Sequence, residues 1–257
     1  MSSDHDHPNN STRGSLRLAP NVDELEEHKR KLPRQFVNFT FYRARPEWRM
    51  LSDDEKGACK QDFMKTVDEF RRGLLIRTYS TVGLRTSSDF MIWRIGCDLE
   101  PMQEMTGRLN RTHMAKYVEP AQSLLSMTKR SMYIDENCAE HPEDRVHVVP
   151  GQSDYLFVCP LNRTREWYAR PQEQRQEMLD ESLRIGSKYR SVRLHTTYSF
   201  GLDDQELVVA FETDNPSDFL DLVQELRETK ASSFTLRDTP VFTCRQRSLA
   251  ECLDALG

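Results

Sequence analysis

Hydrophobic and polar positions follow two different periods along this chain. Between residues 36 and 42 apolar and polar side chains alternate, which predicts a strand. A helix is predicted after Ser52, because the sequence SDDE fits a capping box with Glu55. Its apolar face repeats at helical spacing and consists of Phe63, Val67, Phe70 and Leu74. The folded part of the chain is therefore predicted to begin with a strand and an amphipathic helix.

The order of predicted elements occurs twice. A strand and a helix are followed by a strand pair and a second helix, and the whole series then repeats before a last strand. After the first helix, the remaining elements of the first half are predicted at residues 74–85, 89–97 and 99–118. Those of the second half are predicted at residues 153–161, 170–186, 192–202, 206–213, 216–229 and 233–244.

A short phrase is shared by the two halves. TYSTVGL begins at Thr78 and TYSFGL begins at Thr197, each just before an apolar strand. The phrase and the matching element order support an internal duplication of a split βαβ unit. The predicted fold class is α+β, with two ferredoxin-like halves, antiparallel sheets and helices outside.

Composition shifts predict four regions. Residues 1–32 form a polar, charged leader that is predicted to be flexible, and residues 33–134 form the N-terminal half. Residues 135–152 are acidic and contain proline, which is typical of a linker. Residues 153–257 form the C-terminal half.

Charge and cysteine usage narrow the classes of partner and compartment. A net charge of −5 argues against a general nucleic-acid binder, which needs clustered basic side chains. No apolar run reaches the length of about 18 residues that a membrane span needs. The N-terminus lacks the apolar core of a secretion signal, and the six cysteines are widely spread without a CxxC motif. Reduced thiols in a cytoplasm are therefore expected.

Six segments resemble, in the same order, the chlorite dismutase and coproheme decarboxylase superfamily. They are FYRARPEWRML, GLRTSSDFMIW, LNRTHMAKY, LLSMTKRSMY, WYARPQEQRQEMLDES and GLDDQELVVAFETD. The resemblance covers residues 36–245 and implies a duplicated, ferredoxin-like fold of the dimeric α+β barrel type. It also implies a homopentamer, heme b or coproheme bound in the C-terminal half, and either chlorite breakdown or peroxide-driven decarboxylation of coproheme.

The resemblance places the family's functional residues on positions that differ here. The iron-binding histidine falls on Ser182 through a match without a gap, and its acidic partner falls at about Ala231. The distal polar residue falls on Leu194, or on His195 if one residue is deleted before the strand. The reactive tyrosine of many decarboxylases falls near Gln122. A serine hydroxyl is a poor iron ligand beside imidazole, so the standard chemistry is predicted to be weak or absent.

Several other side chains are candidates for binding. His195 is the only histidine of the C-terminal half, and it is either a substitute metal and heme ligand or an ordinary strand histidine. Lys129, Lys188, Tyr189 and Arg193 lie in basic segments that either contact the carboxylates of a bound porphyrin or form a solvated charged face.

A metal site elsewhere is not favoured by the sequence. Cys138, His141 and His147 are spaced C-x2-H-x5-H, but a closed zinc site needs four ligands and tighter pairs. A solvated loop is the favoured interpretation of this segment. His113, in RTHMAKY, is expected to be an ordinary partly buried histidine.

Two functions remain open at this point. The first is a divergent, oxidoreductase-like protein that still associates with heme or coproheme. The second is a heme-free oligomeric scaffold or partner-binding subunit on the same fold, without a cofactor. Both predict a homo-oligomer that binds neither nucleic acid nor membrane, and both leave room for a protein partner.

Overall fold

The computed structural model describes residues 33–133 and 147–257. The strands are β1 (Phe36–Ala44), β2 (Leu75–Ser80), β3 (Phe90–Gly96), β4 (Val118–Met127), β5 (Tyr155–Arg163), β6 (Arg193–Tyr198), β7 (Leu207–Thr213), β8 (Thr235–Arg237) and β9 (Phe242–Gln246). The α-helices are α1 (Asp53–Glu69), α2 (Glu100–Leu109), α3 (Arg165–Ala169), α4 (Gln172–Lys188), α5 (Pro216–Arg227) and α6 (Leu249–Asp254). The predicted leader and most of the predicted linker, including Cys138 and His141, lie outside the described residues.

The two halves have the same sheet topology. The spatial order is β4-β1-β3-β2 in the first half and β6-β7-β5-β9 in the second. In each half the first and third strands therefore lie in the middle, and the second and fourth lie at the edges, as in a ferredoxin-like unit. Every described strand pair is antiparallel. The predicted α+β class and duplicated ferredoxin-like arrangement are confirmed.

The halves join at two seams, which close the strands into a ring. At one seam β4 pairs with β6 through Met127 and Tyr198 alone. At the other seam β2 pairs with β9 through two residue pairs, Tyr79 with Gln246 and Ser80 with Arg245. Within each half the pairings between the four main strands are longer, from four residue pairs between β5 and β9 to nine between β1 and β4. The ring is thus continuous but narrow where the halves meet.

Alternate strand residues fill the inside of the ring. Most of these inward positions are apolar, and together with Val148 from the segment before β5 they form the interior cluster Val37, Phe39, Phe41, Tyr79, Met91, Trp93, Ile95, Leu124, Val148, Leu156, Val158, Val208, Ala210, Phe242 and Cys244. Each large side chain that is fully buried in this way contributes about 1.5–3 kcal/mol of transfer free energy. This interior is the part of the core that both halves share.

A second core lies between the sheet of the first half and its helices. The last helix, α6, crosses back and buries Leu249, Cys252 and Leu253 in that core. The Trp48 indole Nε1 donates a hydrogen bond to the Gly257 carbonyl at 2.8 Å. A chain segment from the end of the sequence therefore completes the packing of the N-terminal half.

The hairpins that carry the shared phrase have the same backbone turn. Gly83 and Gly201 adopt positive φ angles of 76° and 72°, which a side chain would strain. In both turns the residue after the glycine donates its N–H to the carbonyl oxygen three residues earlier. The glycines therefore set the turns, and the repeated phrase reflects a repeated structure.

Four elements differ from the sequence-based prediction. Strand β4 and helix α6 were not predicted, and the second helix ends at Leu109 instead of continuing to residue 118. The last predicted strand, residues 233–244, is divided between a 3-10 turn (Lys230–Phe234), β8 and β9. Proline has no N–H to donate, and Pro240 lies between the two strands, so pairing is interrupted there.

Candidate functional site

Helix α4 lies over the sheet of the C-terminal half without being packed tightly on it. None of its 17 residues is buried. Its backbone neighbours are α5 and the 3-10 turn Lys230–Phe234, whereas no strand lies comparably close. Only its last turns reach the apolar cluster of this half, through Ile185 and Tyr189. A helix of this length normally buries a continuous apolar stripe, so the first three turns of α4 are incompletely packed.

Ser182 lies on the same stripe of α4 as Ile185 and Tyr189, because these residues are spaced by three and four. Its hydroxyl lies 3.4 Å from the Thr229 hydroxyl, which itself donates to the Leu226 carbonyl at 2.8 Å. The neighbouring Glu181 carboxylate accepts the backbone N–H of Lys230 at 3.1 Å. Ser182 therefore faces the chain just after α5.

Ala231 is buried in this same segment, two residues beyond Thr229. Its carbonyl oxygen accepts a hydrogen bond from the Arg163 guanidinium at 2.5 Å. Burial lowers the pKa of Arg163, and its guanidinium also lies 5.0 Å from the Trp167 ring. The structure thus brings Ser182 and Ala231 to one place, where Ala231 contributes no carboxylate.

The opposite wall is the outer face of β6. Exposed and buried residues alternate along β6. Leu194 is 52% exposed and Thr196 is also exposed, whereas His195 and Thr197 are buried. In β7 the residue paired with Leu194 is Phe211, which belongs to the apolar cluster under α5. The Arg175–Ser182 part of α4 and the outer face of β6, with Leu194 and Thr196, are together named here the α4 cleft.

Basic and phenolic side chains surround one end of the α4 cleft. Arg175 donates a hydrogen bond from Nη1 to the Tyr133 hydroxyl at 2.9 Å. The Arg175 Nε–H is buried and has no hydrogen-bond partner among the described residues. Lys129 Nζ lies 5.8 Å from the ring of Tyr198, whose pKa is raised by burial. A carboxylate would satisfy such a desolvated guanidinium donor.

Arg175 was not among the candidates taken from the sequence. It precedes Ser182 by seven residues, which puts both side chains on one helix face. This spacing was the available signal, but it is shared by many charged helix residues. Lys129, which was a candidate, lies in the segment that contacts Arg175 through Tyr133.

His195 points away from the α4 cleft, into the ring interior. Its Nε2 lies 2.7 Å from Glu212 Oε2, and both side chains are buried. Its ring packs edge-on against Trp93, with 5.7 Å between the ring centroids. Successive strand side chains face opposite sides of a sheet, so His195 cannot share a face with Leu194. The expected role of His195 as substitute ligand at the family site does not fit this position.

Lys188 and Tyr189 connect α4 to α5 at the far end of α4. Both donate hydrogen bonds of 2.6 Å to the carboxylate of Glu225. The hydrogen bond to Glu225 raises the pKa of the Tyr189 phenol to about 12. Arg193 is exposed at the start of β6. These three candidates therefore follow Ile185 in the chain, whereas Arg175, with its unpaired N–H, precedes Ser182.

The remaining candidates lie elsewhere. Gln122 is exposed on β4 in the N-terminal half, opposite Phe41. His113 is exposed in a 3-10 turn, instead of partly buried as expected. Among residues 33–133 and 147–257, no group of three His, Cys, Asp or Glu side chains is placed to hold a metal ion. In the same ranges no helix is both long and apolar enough to cross a membrane.

Comparisons with known proteins agree with this architecture. The family model described as chlorite dismutase matches residues 56–247. Coproheme decarboxylase from Mycolicibacterium smegmatis is 32% identical over 183 residues, which span 70% of this chain and 76% of that protein.

Solved structures are similar in fold. Chlorite dismutase from Candidatus Nitrospira defluvii in complex with imidazole superposes with a TM-score of 0.78 at 22% identity, covering 89% of this chain and 98% of that one. A mutant of the same protein gives a TM-score of 0.78 at 23% identity, covering 86% and 94%. At this level of identity the likeness establishes the fold alone.

Proposed function

Because the chain belongs to the chlorite dismutase family, we propose that its α4 cleft binds a porphyrin with carboxylate side chains, of the heme or coproheme class. In this proposal the protein supplies no histidine to the iron from α4. It is therefore a divergent member that binds and orients the macrocycle, and the usual oxidoreductase chemistry is weak or absent.

The observation that carries this proposal is the incomplete packing of α4. This 17-residue amphipathic helix has no buried residue, and Leu194 on the outer face of β6 is half exposed. Apolar surface left open on both sides of a cleft costs free energy unless a ligand covers it. A flat macrocycle with apolar faces is suited to such a space, because it contacts helix and strand at once.

The residues of the cleft do not fit an iron that requires a protein ligand. Ser182 offers only a hydroxyl, and no carboxylate at Ala231 is present to orient a ligand on α4. Of the histidines in the described residues, His113 and His147 lie outside the cleft elements, and His195 faces the ring interior. We therefore derive no redox step for this site.

The residues do fit the carboxylates of a porphyrin. Arg175 Nε is a buried donor without a partner in the described part of the chain, and Lys129 stands nearby across the Tyr133 segment. A charge-assisted hydrogen bond to an anion is about twice as strong as a neutral one. Recognition of this class therefore rests on Arg175 first.

We further propose that the protein is a homo-oligomer, a pentamer by resemblance to its family, and that it works in a cytoplasm. The five cysteines in the described residues are free thiols, in keeping with a reducing compartment. Light scattering on the full chain tests the assembly, and a monomer at micromolar concentration would contradict it.

The decisive experiment is a titration of the purified protein with two probes, hemin and metal-free coproporphyrin. Both are expected to bind at micromolar concentration, with a visible spectrum that lacks the signature of an axial nitrogen. Chlorite-dependent oxygen release and peroxide-driven decarboxylation are expected at background level. If neither probe binds, the heme-free scaffold is the correct function, and if robust turnover occurs, the assignment of the cleft residues is wrong.

A further inference from the structure

A short segment that leads into β5 covers one part of the ring interior. Residues 147–152 are named here the strap. Val148 of the strap is 4% exposed and belongs to the interior cluster. The backbone N–H of Gly151 donates a hydrogen bond of 2.7 Å to Glu212 Oε2. Inside the ring, the strap therefore contacts the interior cluster through Val148 and the Glu212 carboxylate through Gly151.

The buried carboxylate of Glu212 has few hydrogen-bond partners among the described residues. It is 1% exposed, and its Oε2 lies 2.7 Å from both His195 Nε2 and the Gly151 nitrogen. Its Oε1 is buried and has no hydrogen-bond partner among the described residues. A buried carboxylate with two donors loses much of its compensation when either is removed. The Gly151 N–H of the strap is therefore one of only two described donors to this buried carboxylate.

The fit between the strap and Glu212 is tight. A Cβ atom placed on Gly151 would lie 3.2 Å from Glu212 Oε2 and 3.6 Å from Oε1. Gly151 has no positive φ angle, so an alanine there would meet the carboxylate without straining its own backbone. An alanine at Gly151 therefore requires the strap or the Glu212 carboxylate to shift by a few tenths of an ångström.

Gln35 links the strap to the edge of the α4 cleft. Its side-chain Oε1 accepts the Val148 N–H at 2.7 Å. Its backbone exchanges two hydrogen bonds with Thr128, one of 2.8 Å to the Gln35 carbonyl and one of 2.9 Å to the Thr128 hydroxyl. Thr128 directly precedes Lys129, whose segment reaches Arg175 through Tyr133. Gln35 is thus hydrogen-bonded both to Thr128, just before residues 129–133, and to the strap.

We propose that Glu212 is a positioning residue, which holds the strap through Gly151 and thereby sets the position of residues 129–133 beside the α4 cleft. It acts on the binding site from inside the ring and touches no ligand. The effect on ligand retention rests on the proposed porphyrin function, whereas the effect on the strap and on residues 129–133 does not.

Amide hydrogen exchange of the full chain tests this proposal. Glu212→Gln keeps the shape of the side chain but removes its charge, so protection of the Val148 and Gly151 amides is expected to fall about tenfold. Gly151→Ala should give the same result through displacement, if Glu212→Gln folds poorly. Protection in residues 129–133 is expected to fall with it.

Asp214→Asn is the matched control. Asp214 also accepts one backbone N–H, that of Asp154 at 2.7 Å, but it is exposed and lies beyond the strap. Its substitution should leave Val148, Gly151 and residues 129–133 unchanged. The proposal would be overturned if the Val148 and Gly151 amides exchanged at unchanged rates in folded Glu212→Gln and Gly151→Ala proteins. It would also be overturned if protection fell in the strap but stayed the same in residues 129–133.

Release of metal-free coproporphyrin adds a functional measurement. Glu212→Gln should release this probe several-fold faster with the same bound spectrum, and Asp214→Asn should not. Equal release from all three proteins would overturn the link to ligand retention. If the unsubstituted protein binds no porphyrin, the proposed function fails alone, because the exchange measurement still decides the role of Glu212.

Discussion

At the scale of single residues, Ser182 bears on the ligation of iron, and Arg175 bears on the binding of the porphyrin carboxylates. Ser182, on which the family's iron-binding histidine is predicted to fall, has a hydroxyl contact of 3.4 Å to Thr229. Arg175 stands two turns earlier with a buried N–H that has no described partner. In the proposed function the cleft binds an anionic macrocycle without ligating its metal. One substitution tests the missing metal ligand, and another tests the recognition of the anion.

Replacing Ser182 by histidine is predicted to restore an iron ligand. An imidazole at this position is a far stronger ligand for iron than a hydroxyl. Hemin should bind about tenfold tighter or more, with a new nitrogen-ligated spectrum, while the affinity for metal-free coproporphyrin should be unchanged. Ser187→His, on an exposed position of the same helix, is the control and should have no effect. A nitrogen-ligated spectrum in both variants would refute the placement of Ser182.

Replacing Arg175 by methionine is predicted to weaken porphyrin binding by about 10–100-fold, because hydrogen bonds to charged groups contribute about 1.5–3 kcal/mol. The loss should disappear when the carboxylates of the probe are esterified, since no anion then remains to be bound. Arg184→Met, at an exposed position of α4, controls for removal of a positive charge. Equal losses for the acid and the ester would show that Arg175 contributes packing instead.

The positions of these residues were partly foreseeable. Ser182 could be placed from the sequence because the match around it contains no gap. His195 could not, because alternation along β6 predicts two faces without saying which one meets α4. Its partner Glu212 lies on the next strand, and no local pattern in the sequence connects the two. The orphaned donor of Arg175 becomes visible only when the surrounding chain is in place.

At the scale of elements, α4 combines a loose beginning with a firmly held end. Its last turn is tied to α5 by Lys188 and Tyr189, which share the carboxylate of Glu225. The helix itself was predictable from its apolar spacing and from Pro171 at its start. Strand β4 was missed because its exposed middle, residues 120–123, hides the alternation. The packing of a helix against a sheet depends on contacts between distant residues, so the open α4 cleft could not be predicted from local sequence.

The hydrogen bond between Tyr189 and Glu225, which connects α4 to α5, is predicted to be lost at alkaline pH. The hydrogen bond to Glu225 raises the pKa of Tyr189 from its ordinary 10.0 to about 12. Its contribution is fully present below pH 10.0 and is lost as the pH rises through about 12. Spectrophotometric titration of tyrosinate, with Tyr189→Phe to identify this phenol, measures the shift. Glu225→Gln should return the Tyr189 pKa towards its ordinary value, and an unchanged titration would contradict the assigned cause.

At the scale of the whole molecule, the chain builds each half as a ferredoxin-like unit and then joins them in a ring. Element order and the repeated glycine turn made this duplication predictable. The return of α6 to the first half was not predictable, because its partner Trp48 lies about 200 residues earlier in the chain. Apolar residues at helical spacing indicate only that a helix is buried, and they do not identify the surface that buries it.

Replacing Leu253 by alanine is predicted to destabilise the protein by about 2–5 kcal/mol, because the side chain is fully buried and leaves a cavity. Chemical denaturation monitored by tryptophan fluorescence measures the change. Asp254→Ala is the control, since this exposed residue forms only a surface ion pair with Lys60. A loss below about 1 kcal/mol for Leu253→Ala would show that α6 contributes little to the core of the N-terminal half.

The narrow seams leave closure of the ring mainly to side-chain packing. One residue pair joins β4 to β6 and two join β2 to β9, so backbone pairing between the halves is limited to three residue pairs. The interior cluster, by contrast, takes buried side chains from both halves. Opening the ring would therefore cost free energy mainly through exposure of apolar surface and much less through lost backbone hydrogen bonds.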